Sequence, residues 1–424
     1  MLVLLKVTQS GGIILKAKTF QHFLFATLGI SFLVSCDRSA DPDSSIPDET
    51  DGRITITTDP EKLDDRITND DEVILIDTTG LGKRSGVSAF TLTLVAEVTP
   101  PIVAGSPLQA TSVTLNGGFA YISYSQQGDP YRGAIDVIQL RAGRNATLKS
   151  SATFTDTDIH SVYFDSEFLF VAEALEDPLF YPATSFVERL KTSGGDKLTL
   201  VDKLRTPLQS FVATSVAASF PDVFVTTGNT GYLYRLDQAT LTVQDSVQLD
   251  DARWVSVSGS QVVVVQGTPG RISVYNSADL SGVGTFTFDG ASIAESKSTV
   301  QFIGGKALIA AGDGGVKLVN IQTGTAVGSI DRVTVTGLDS SLTVTNAAEA
   351  FGEYVFISNG EAGVYVAQAS QALENSTGDT PITLTTLGKL QFNEAQSVNH
   401  VAYDGSNLII ASGLGGVKIV QVGF

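Results

Sequence analysis

Seven polar residues occupy one equivalent position of a recurring pattern, namely Thr111, His160, Thr214, Arg253, Ser298, Asn346 and Asn399. Each stands two residues before a valine or alanine that anchors its repeat. If equivalent strands surround one axis, these side chains converge, and convergent polar groups in a concavity are typical of a ligand site. Trp254 and His400, one residue further along, would add an aromatic surface and a titratable ring. We predict that these nine residues bind a ligand at the mouth of a channel; the alternative is solvated loop residues that bind nothing.

Metal-binding patterns are sparse in this sequence, which has three histidines and one cysteine. His160 and His400 belong to non-adjacent repeats, so they could share a metal ion only across a closed ring. Asp313, in a glycine-rich turn, is one carboxylate where calcium takes about six to eight oxygens. We therefore predict no metal and no cofactor.

Catalytic signatures are also absent from the sequence: it has no P-loop, no G-x-S-x-G elbow, no H-E-x-x-H and no C-x-x-C. Hydrolysis of a glycan usually needs two carboxylates that flank the bond. The seven equivalent positions supply none, and Glu349 and Glu173 are the nearest substitutes. We assign no catalytic residue and regard an enzyme as the less favoured interpretation.

The elements that would position these residues are seven repeats of short apolar strands. Each repeat has a first strand, a small or polar turn, a more apolar second strand, a hairpin and a third strand, and most add a weaker fourth. The anchors are Val113, Val162, Val216, Val255, Val300, Ala348 and Val401, with a mean period of 48 residues. Five of the hairpins read G-x-x-G, which allows positive φ where twisted strands reverse. Four strands per unit of about 40–50 residues are typical of a β-propeller blade.

These repeats predict an all-β fold, a seven-bladed β-propeller of four-stranded blades. The chain ends just after the third strand of repeat seven, and Leu92–Val98 is a strand that precedes repeat one. Pairing that strand with Val417–Val422 would close the ring and cover an exposed edge. Residues 53–86 contain two further strand patterns, at Ile54–Thr57 and Val73–Ile76, whose placement the sequence leaves open.

Two segments carry a resemblance to a known family. Gly315–Ile321 and Gly416–Val422 resemble the LVIVD repeat of bacterial and archaeal surface propellers. The resemblance extends over roughly residues 88–424 and is degenerate in repeat two. It implies a propeller in an exported protein, and the family as a whole has no single known activity.

The N-terminal region predicts export and a lipid anchor. Residues 1–35 carry three lysines and no acid and end in an apolar run too short for a membrane span, as in a secretory signal. Leu33–Cys36 resembles the lipobox of bacterial lipoproteins, which implies that Cys36 carries the lipid. Residues 36–52 are acidic and rich in serine and proline, which predicts a disordered tether ahead of a propeller over 53–424. Acidic residues after such a cysteine resemble the export signals of some surface-exposed lipoproteins, and the alternative is a solvated spacer. We predict the outer membrane, with surface exposure under the first interpretation.

Charge and composition narrow the choice of partner. The formal net charge is −18, which opposes binding to the phosphates of nucleic acid. Our leading hypothesis is a lipid-anchored, non-catalytic binding or assembly module of the bacterial cell envelope, with a protein or glycan partner. The alternative is a propeller enzyme, a hydrolase or lyase, that acts on extracellular glycans through the polar ring.

Overall fold

A computed structural model describes residues 46–78, 91–141, 145–176, 184–392 and 397–423. The predicted signal segment and Cys36, the predicted lipidation site, lie outside the described residues. The N-terminal part of the described chain contains five strands and one short helix, which are β1 (Glu49–Thr50), β2 (Ile54–Thr57), α1 (Pro60–Asp64), β3 (Ile67–Val73), β4 (Leu75–Asp77) and β5 (Thr91–Val98). No helix in the described part is long and apolar enough to cross a membrane.

Seven antiparallel sheets follow, after the small hairpin of β6 (Ile102–Val103) and β7 (Ser106–Pro107). Blade 1 contains β8 (Gln109–Asn116), β9 (Phe119–Ser125), β10 (Gly133–Gln139) and β11 (Thr147–Phe154). Blade 2 contains β12 (Thr157–Asp165), β13 (Phe168–Leu175), β14 (Ser185–Ser193) and β15 (Lys197–Leu208). Blade 3 contains β16 (Ser215–Ser219), β17 (Asp222–Thr226), β18 (Gly231–Asp237) and β19 (Val243–Leu249).

The remaining blades repeat this order. Blade 4 contains β20 (Ala252–Ser258), β21 (Gln261–Gln266), β22 (Arg271–Asn276) and β23 (Gly282–Thr287). Blade 5 contains β24 (Val300–Ile303), β25 (Lys306–Ala310), β26 (Val316–Asn320) and β27 (Ala326–Ile330). Blade 6 contains β28 (Ala347–Phe351), β29 (Tyr354–Ser358), β30 (Val364–Ala369) and β31 (Leu384–Gln391). Blade 7 contains β32 (His400–Tyr403), β33 (Asn407–Ala411) and β34 (Val417–Gly423). Two 3₁₀ turns lie at Ser340–Leu342 and Leu373–Asn375.

Blade 7 receives its fourth strand from the N-terminal part of the chain, as the sequence predicts. β5 pairs antiparallel with β34, with Val98 opposite Val417 and Thr91 opposite Gly423. The ring is therefore a closed, seven-bladed, all-β propeller, and the predicted fold is confirmed. Closure removes the exposed edge that three strands alone would leave at the end of the chain.

The N-terminal strands also extend three neighbouring blades outward. β2 pairs with β11 of blade 1, and β1 then pairs with β2. β3 pairs with β5 of blade 7, and β4 pairs with β31 of blade 6. Along the chain, the strands of residues 46–77 thus join blade 1 first, then blade 7 and then blade 6.

The last residues of the predicted tether, which ends at residue 52, contact the propeller. Glu49–Thr50 is a strand, and the Glu49 carboxylate accepts a hydrogen bond of 2.9 Å from the backbone N–H of Leu200 in blade 2. Asp51 forms an ion pair with Lys203. These contacts satisfy two acidic side chains that composition alone assigns to solvent.

The hydrophobic core is divided among the contacts between neighbouring blades. Within the described residues, seven apolar clusters each combine side chains from two adjacent blades, including the pair formed by blades 7 and 1. Each sheet buries both faces, which is why the second strands, such as Val262–Val265, read as continuous apolar runs. The blades therefore stabilise one another around the ring, and their inner strands surround a central channel.

Four of the five G-x-x-G hairpins pair with the segment that begins the next blade. Gly228, Gly312, Gly360 and Gly413 each form an isolated antiparallel bridge with the residue three positions before the next anchor. All four of these glycines have positive φ. Gly416 has a φ of 72°, close to the 73° of its equivalent Gly315. A side chain added at Gly416 would meet the carbonyl oxygen of Val98. Glycine is required at that position because the strand that closes the ring passes so near.

Candidate functional site

The seven predicted polar residues lie at one end of the inner strands, where each blade begins. Thr111, His160 and Arg253 are each the extra residue of a β-bulge between the first and second strands of their blades. A bulge redirects a side chain away from its ordinary alternation. Thr214, Asn346 and Asn399 come directly before their inner strands, and Ser298 comes two residues before β24.

Four of these side chains join their blade to the next one. Each donates a hydrogen bond to the backbone carbonyl three positions before the next anchor: Thr111 to Ile159 at 2.9 Å, Thr214 to Ala252 at 2.8 Å, Asn346 to Val398 at 3.3 Å and Asn399 to Ala110 at 2.8 Å. We call these four bonds the inter-blade bonds. The last of them connects blade 7 to blade 1 across the closure of the ring. A structural requirement therefore accounts for polar residues at these four positions.

Arg253 and Ser298 are also engaged within the protein. The Arg253 guanidinium forms two hydrogen bonds with the Asp251 carboxylate, of 2.9 and 2.7 Å, and donates to the carbonyl of Ile293 at 2.7 Å. Its charge is thereby balanced, and the residue is buried. Ser298 is fully buried, and its hydroxyl lies 2.8 Å from that of Ser296.

A cavity of about 750 Å³ opens at this end of the channel, beside blades 2 to 5. We call it the mouth cavity. Four predicted residues line it, namely His160, Thr214, Arg253 and Trp254. Its other walls include Val212, Asn229, Thr230, Asp250, Asp251, Ala294, Glu295 and Lys297. Its volume lies within the range of about 300–1,000 Å³ that is common for ligand pockets. Thr111, Ser298, Asn346, Asn399 and His400 do not line it.

A second cavity, of about 350 Å³, occupies the channel between the inner strands of all seven blades. Small and apolar residues form much of its wall, together with Trp254, His400, Gln301 and Glu349. The Gln301 amide donates a hydrogen bond of 2.7 Å to the Glu349 carboxyl. Burial raises the pKa of Glu349 to about 8, so this side chain is largely protonated at neutral pH.

Two contacts cross the channel between these cavities. The ring of Trp254 in blade 4 stacks on that of His400 in blade 7, with centroids 5.3 Å apart. Lys297, which precedes blade 5, donates a hydrogen bond of 3.1 Å from Nζ to the backbone carbonyl of His160 in blade 2. Its Nζ also lies 5.8 Å from the centroid of the Trp254 ring. These side chains form a neck between the mouth cavity and the channel.

The charges in the neck are set by burial. Burial lowers the pKa of both His160 and His400 to about 3, with a further lowering from the positive charge of Lys297. Burial also lowers the pKa of Lys297, to about 8. At neutral pH the histidines are neutral, and the ammonium of Lys297 carries the charge of the neck. Among the described residues, no group of three or more histidine, cysteine or acidic side chains is placed to hold a metal ion.

Lys297 is the member of this site that the sequence analysis missed. It occupies the position three residues before the anchor, where the other six repeats have Ala110, Ile159, Ala213, Ala252, Thr345 and Val398. A single charged residue among small or apolar equivalents is the signal that could have revealed it. The position one residue later, which carries the predicted site residues, is polar in every repeat and does not single out this one.

The two carboxylates considered for glycan hydrolysis lie in different environments. Glu173 is fully buried in blade 2, where its carboxylate accepts a hydrogen bond of 2.6 Å from Arg205 and lies 3.9 Å from Arg53. Arg53 also bonds to the buried Glu188, at 2.5 and 2.6 Å. Glu349, by contrast, lines the channel. The pair required by that reaction is not formed by Glu173 and Glu349.

Comparisons with solved structures agree with the fold. The chain is similar to the structure described as U3-55K, with 12% identity and a TM-score of 0.53, over 76% of this chain and 98% of that one. It also resembles the computationally designed Ika8 protein, with 12% identity, a TM-score of 0.45 and coverage of 76% and 98%. BamB from Moraxella catarrhalis is a third similar structure, with 11% identity, a TM-score of 0.46 and coverage of 88% and 97%. At 12% identity the likeness to U3-55K concerns the fold alone.

No family model matches this chain, and no curated protein does. The resemblance to LVIVD repeats and the lipoprotein assignment stay predictions from the sequence.

Proposed function

We propose that this protein is a lipid-anchored propeller of the bacterial cell envelope that acts as a non-catalytic binding or assembly module. The mouth cavity would receive part of the partner. The observation that carries this proposal is the meeting of side chains from four consecutive blades, 2 to 5, around one open cavity of about 750 Å³. Such a cavity, with a few polar groups and a tryptophan in its wall, is the usual form of a binding site.

The chemistry of the cavity favours binding over catalysis. Arg253 and Asp251 neutralise each other, and the two neck histidines, His160 and His400, have neutral rings at physiological pH. Glu349 is largely protonated and lies on the channel side of the neck. A general base must lie within reach of a substrate, and Glu349 is separated from the mouth cavity by the neck.

The proposed localisation of the protein is based on its N-terminal sequence. The basic and apolar residues up to 35, followed by Leu33–Cys36, support export and lipidation at Cys36. The acidic residues that follow support placement in the outer membrane with exposure at the surface. The net charge of −18 supports a protein or glycan partner over nucleic acid.

The binding role is tested by placing a photo-crosslinking amino acid at Ala294, an exposed residue of the mouth cavity. Ala278 is the matched control, because it is an exposed alanine in the turn between the third and fourth strands of blade 4, at the opposite end of the strands. In intact cells, position 294 should give discrete adducts that mass spectrometry identifies, and position 278 should not. Equal labelling from both positions, or none from position 294, would contradict a partner in the cavity.

The anchor is tested by Cys36→Ala. The wild-type chain should incorporate a radiolabelled fatty acid and sediment with the outer membrane, and the variant should lose both properties. Labelled lipid in the variant would contradict lipidation at Cys36.

A further inference from the structure

The neck of the channel holds a positive charge that no acidic side chain of the described residues neutralises. Lys297 has no carboxylate within ion-pair distance among them, whereas Arg253, the other cation of the mouth cavity, is paired with Asp251. The Lys297 ammonium has three N–H donors, and its hydrogen bond in the structure goes to the carbonyl of His160. Two donors are therefore left for a ligand in the mouth cavity, which Lys297 lines.

The surroundings of Lys297 strengthen its attraction for an anion. The neck is walled by Trp254 and by His160, whose ring is neutral at physiological pH. A hydrogen bond between an ammonium and a carboxylate is stronger in such a partly desolvated site than in water. The flat Trp254 ring offers apolar surface beside the charge.

The outer wall of the cavity has the opposite charge. Asp250 and Glu295 are exposed and line the cavity nearer to solvent. A polyanion such as an acidic glycan would bring further negative charges close to these carboxylates, and the whole chain repels it through its charge of −18. A ligand with one anionic end and a cationic group a few atoms away would satisfy both regions.

We propose that the mouth cavity binds the free C-terminal end of a peptide or protein, with the terminal carboxylate on Lys297 and an upstream basic side chain near Asp250 and Glu295. Capture of a terminal carboxylate is a recurring mode of peptide recognition. A cavity of about 750 Å³ has room for the last few residues of a chain. This inference rests on the proposed binding function and specifies the partner of the same cavity.

The test uses pentapeptides that carry lysine at the second position and are randomised elsewhere, made with either a C-terminal carboxylate or a C-terminal amide. The full chain should bind peptides with a C-terminal carboxylate. By fluorescence polarisation these peptides should bind at least about tenfold more tightly than the same peptides with a C-terminal amide, because the amide loses a charge-assisted hydrogen bond. Lys297→Met should abolish this preference. Lys317→Met, a matched change in β26 away from the cavity, should preserve it.

Equal binding of acids and amides by the wild-type chain would overturn the inference, and so would an acid preference that survives in Lys297→Met. The acid-to-amide comparison needs no variant, so it stands even where Lys297→Met does not fold. Tri-galacturonate tests the acidic glycan directly: binding that depends on Lys297, without an acid preference among peptides, would overturn the peptide assignment. If acids and amides bind equally well and Ala294→Arg blocks both, the carboxylate site is rejected, but the proposed binding function of the cavity stands. No peptide binding together with no crosslinks at position 294 would reject both.

Discussion

Thr111 shows how one hydroxyl at the end of an inner strand can connect two blades. Its oxygen donates to the carbonyl of Ile159 in blade 2 and lies 2.7 Å from the hydroxyl of Ser123 in its own blade. The sequence pattern correctly places a polar residue at this point of each repeat. It does not reveal the acceptor, because that carbonyl belongs to a residue 48 positions away. Every residue has a backbone carbonyl, so residue type does not show which one accepts the bond.

Thr111→Val keeps the shape of the side chain and removes the hydrogen bond to blade 2. Because the buried acceptors lose their partner, we expect the free energy of unfolding to fall by about 1–3 kcal/mol. Thr114→Val is the matched control: Thr114 lies on the same strand and faces the channel cavity. That change should alter stability by no more than about 0.5 kcal/mol. Urea unfolding monitored by tryptophan fluorescence measures both, and equal effects would contradict the role of the inter-blade bonds.

His400 makes stability depend on pH in a defined direction. Its pKa is about 3 in the folded protein, lowered by burial and by Lys297, against about 6.5 in the unfolded chain. The unfolded chain therefore binds more protons between these values, so the stabilisation is complete above pH 6.5 and declines as the pH falls toward 3.

His400→Gln removes this titration. Between pH 6.5 and 5.0 the wild-type protein should lose about 1.6 kcal/mol more of its unfolding free energy than the variant does. Other titrating groups act alike in the two proteins and cancel in the comparison. Parallel pH profiles from urea unfolding would show that His400 is not held neutral by the neck.

At the scale of elements, the N-terminal segment does more than close the ring. β2, β3 and β4 add outer strands to blades 1, 7 and 6, respectively. The alternating residues of Ile54–Thr57 are enough to predict a strand. Its partner is not predictable in the same way, because any exposed outer strand of a blade offers the same backbone donors and acceptors.

Side-chain charges select the partners of this segment. Arg66, between α1 and β3, forms two hydrogen bonds of 2.5 and 3.0 Å with Asp136, which is fully buried in blade 1. Arg53 makes the corresponding contact with Glu188 of blade 2. Asp136 and Glu188 lie in strands that otherwise read as blade interior, and the arginines satisfy them.

Arg66→Met tests this pairing at the level of the element. Removing the guanidinium leaves Asp136 buried without its ionic partner, so the free energy of unfolding should fall by about 3–5 kcal/mol. Adding Asp136→Asn should recover part of the loss, because the remaining group is neutral. Arg235→Met, at the more exposed pair with Asp222, should cost about 1 kcal/mol or less. Failure of Asp136→Asn to recover any stability would indicate that the loss reflects packing alone.

At the scale of the whole molecule, the number of blades follows from the period of the anchors. Seven equivalent first strands, each beside an apolar second strand, predict seven sheets whose faces must be covered by one another. The seven apolar clusters of the described residues match that expectation. The neck is different, because Trp254 meets His400 and Lys297 meets His160 across the axis, with two blades between the partners along the chain in each case. Those contacts depend on how the blades are arranged around the axis, which a comparison of repeats does not describe.

Closure by β5 is the central claim, since it joins blade 7 to blade 1 and so places His400 of the neck opposite Trp254. In the structure Thr93 of β5 lies opposite Gln421 of β34. The most direct measurement is therefore disulfide formation between Thr93→Cys and Gln421→Cys in a chain that carries Cys36→Ser, so that no other thiol is present. Thr93→Cys with Gln244→Cys, on β19 of blade 3, is the control pair.

Under mild oxidation the first pair should form an intramolecular disulfide, which migrates faster on a non-reducing gel and raises the free energy of unfolding by about 2–4 kcal/mol. The control pair should form none within one chain. If Thr93→Cys and Gln421→Cys crosslink no more than the control pair, the N-terminal strand does not close the ring.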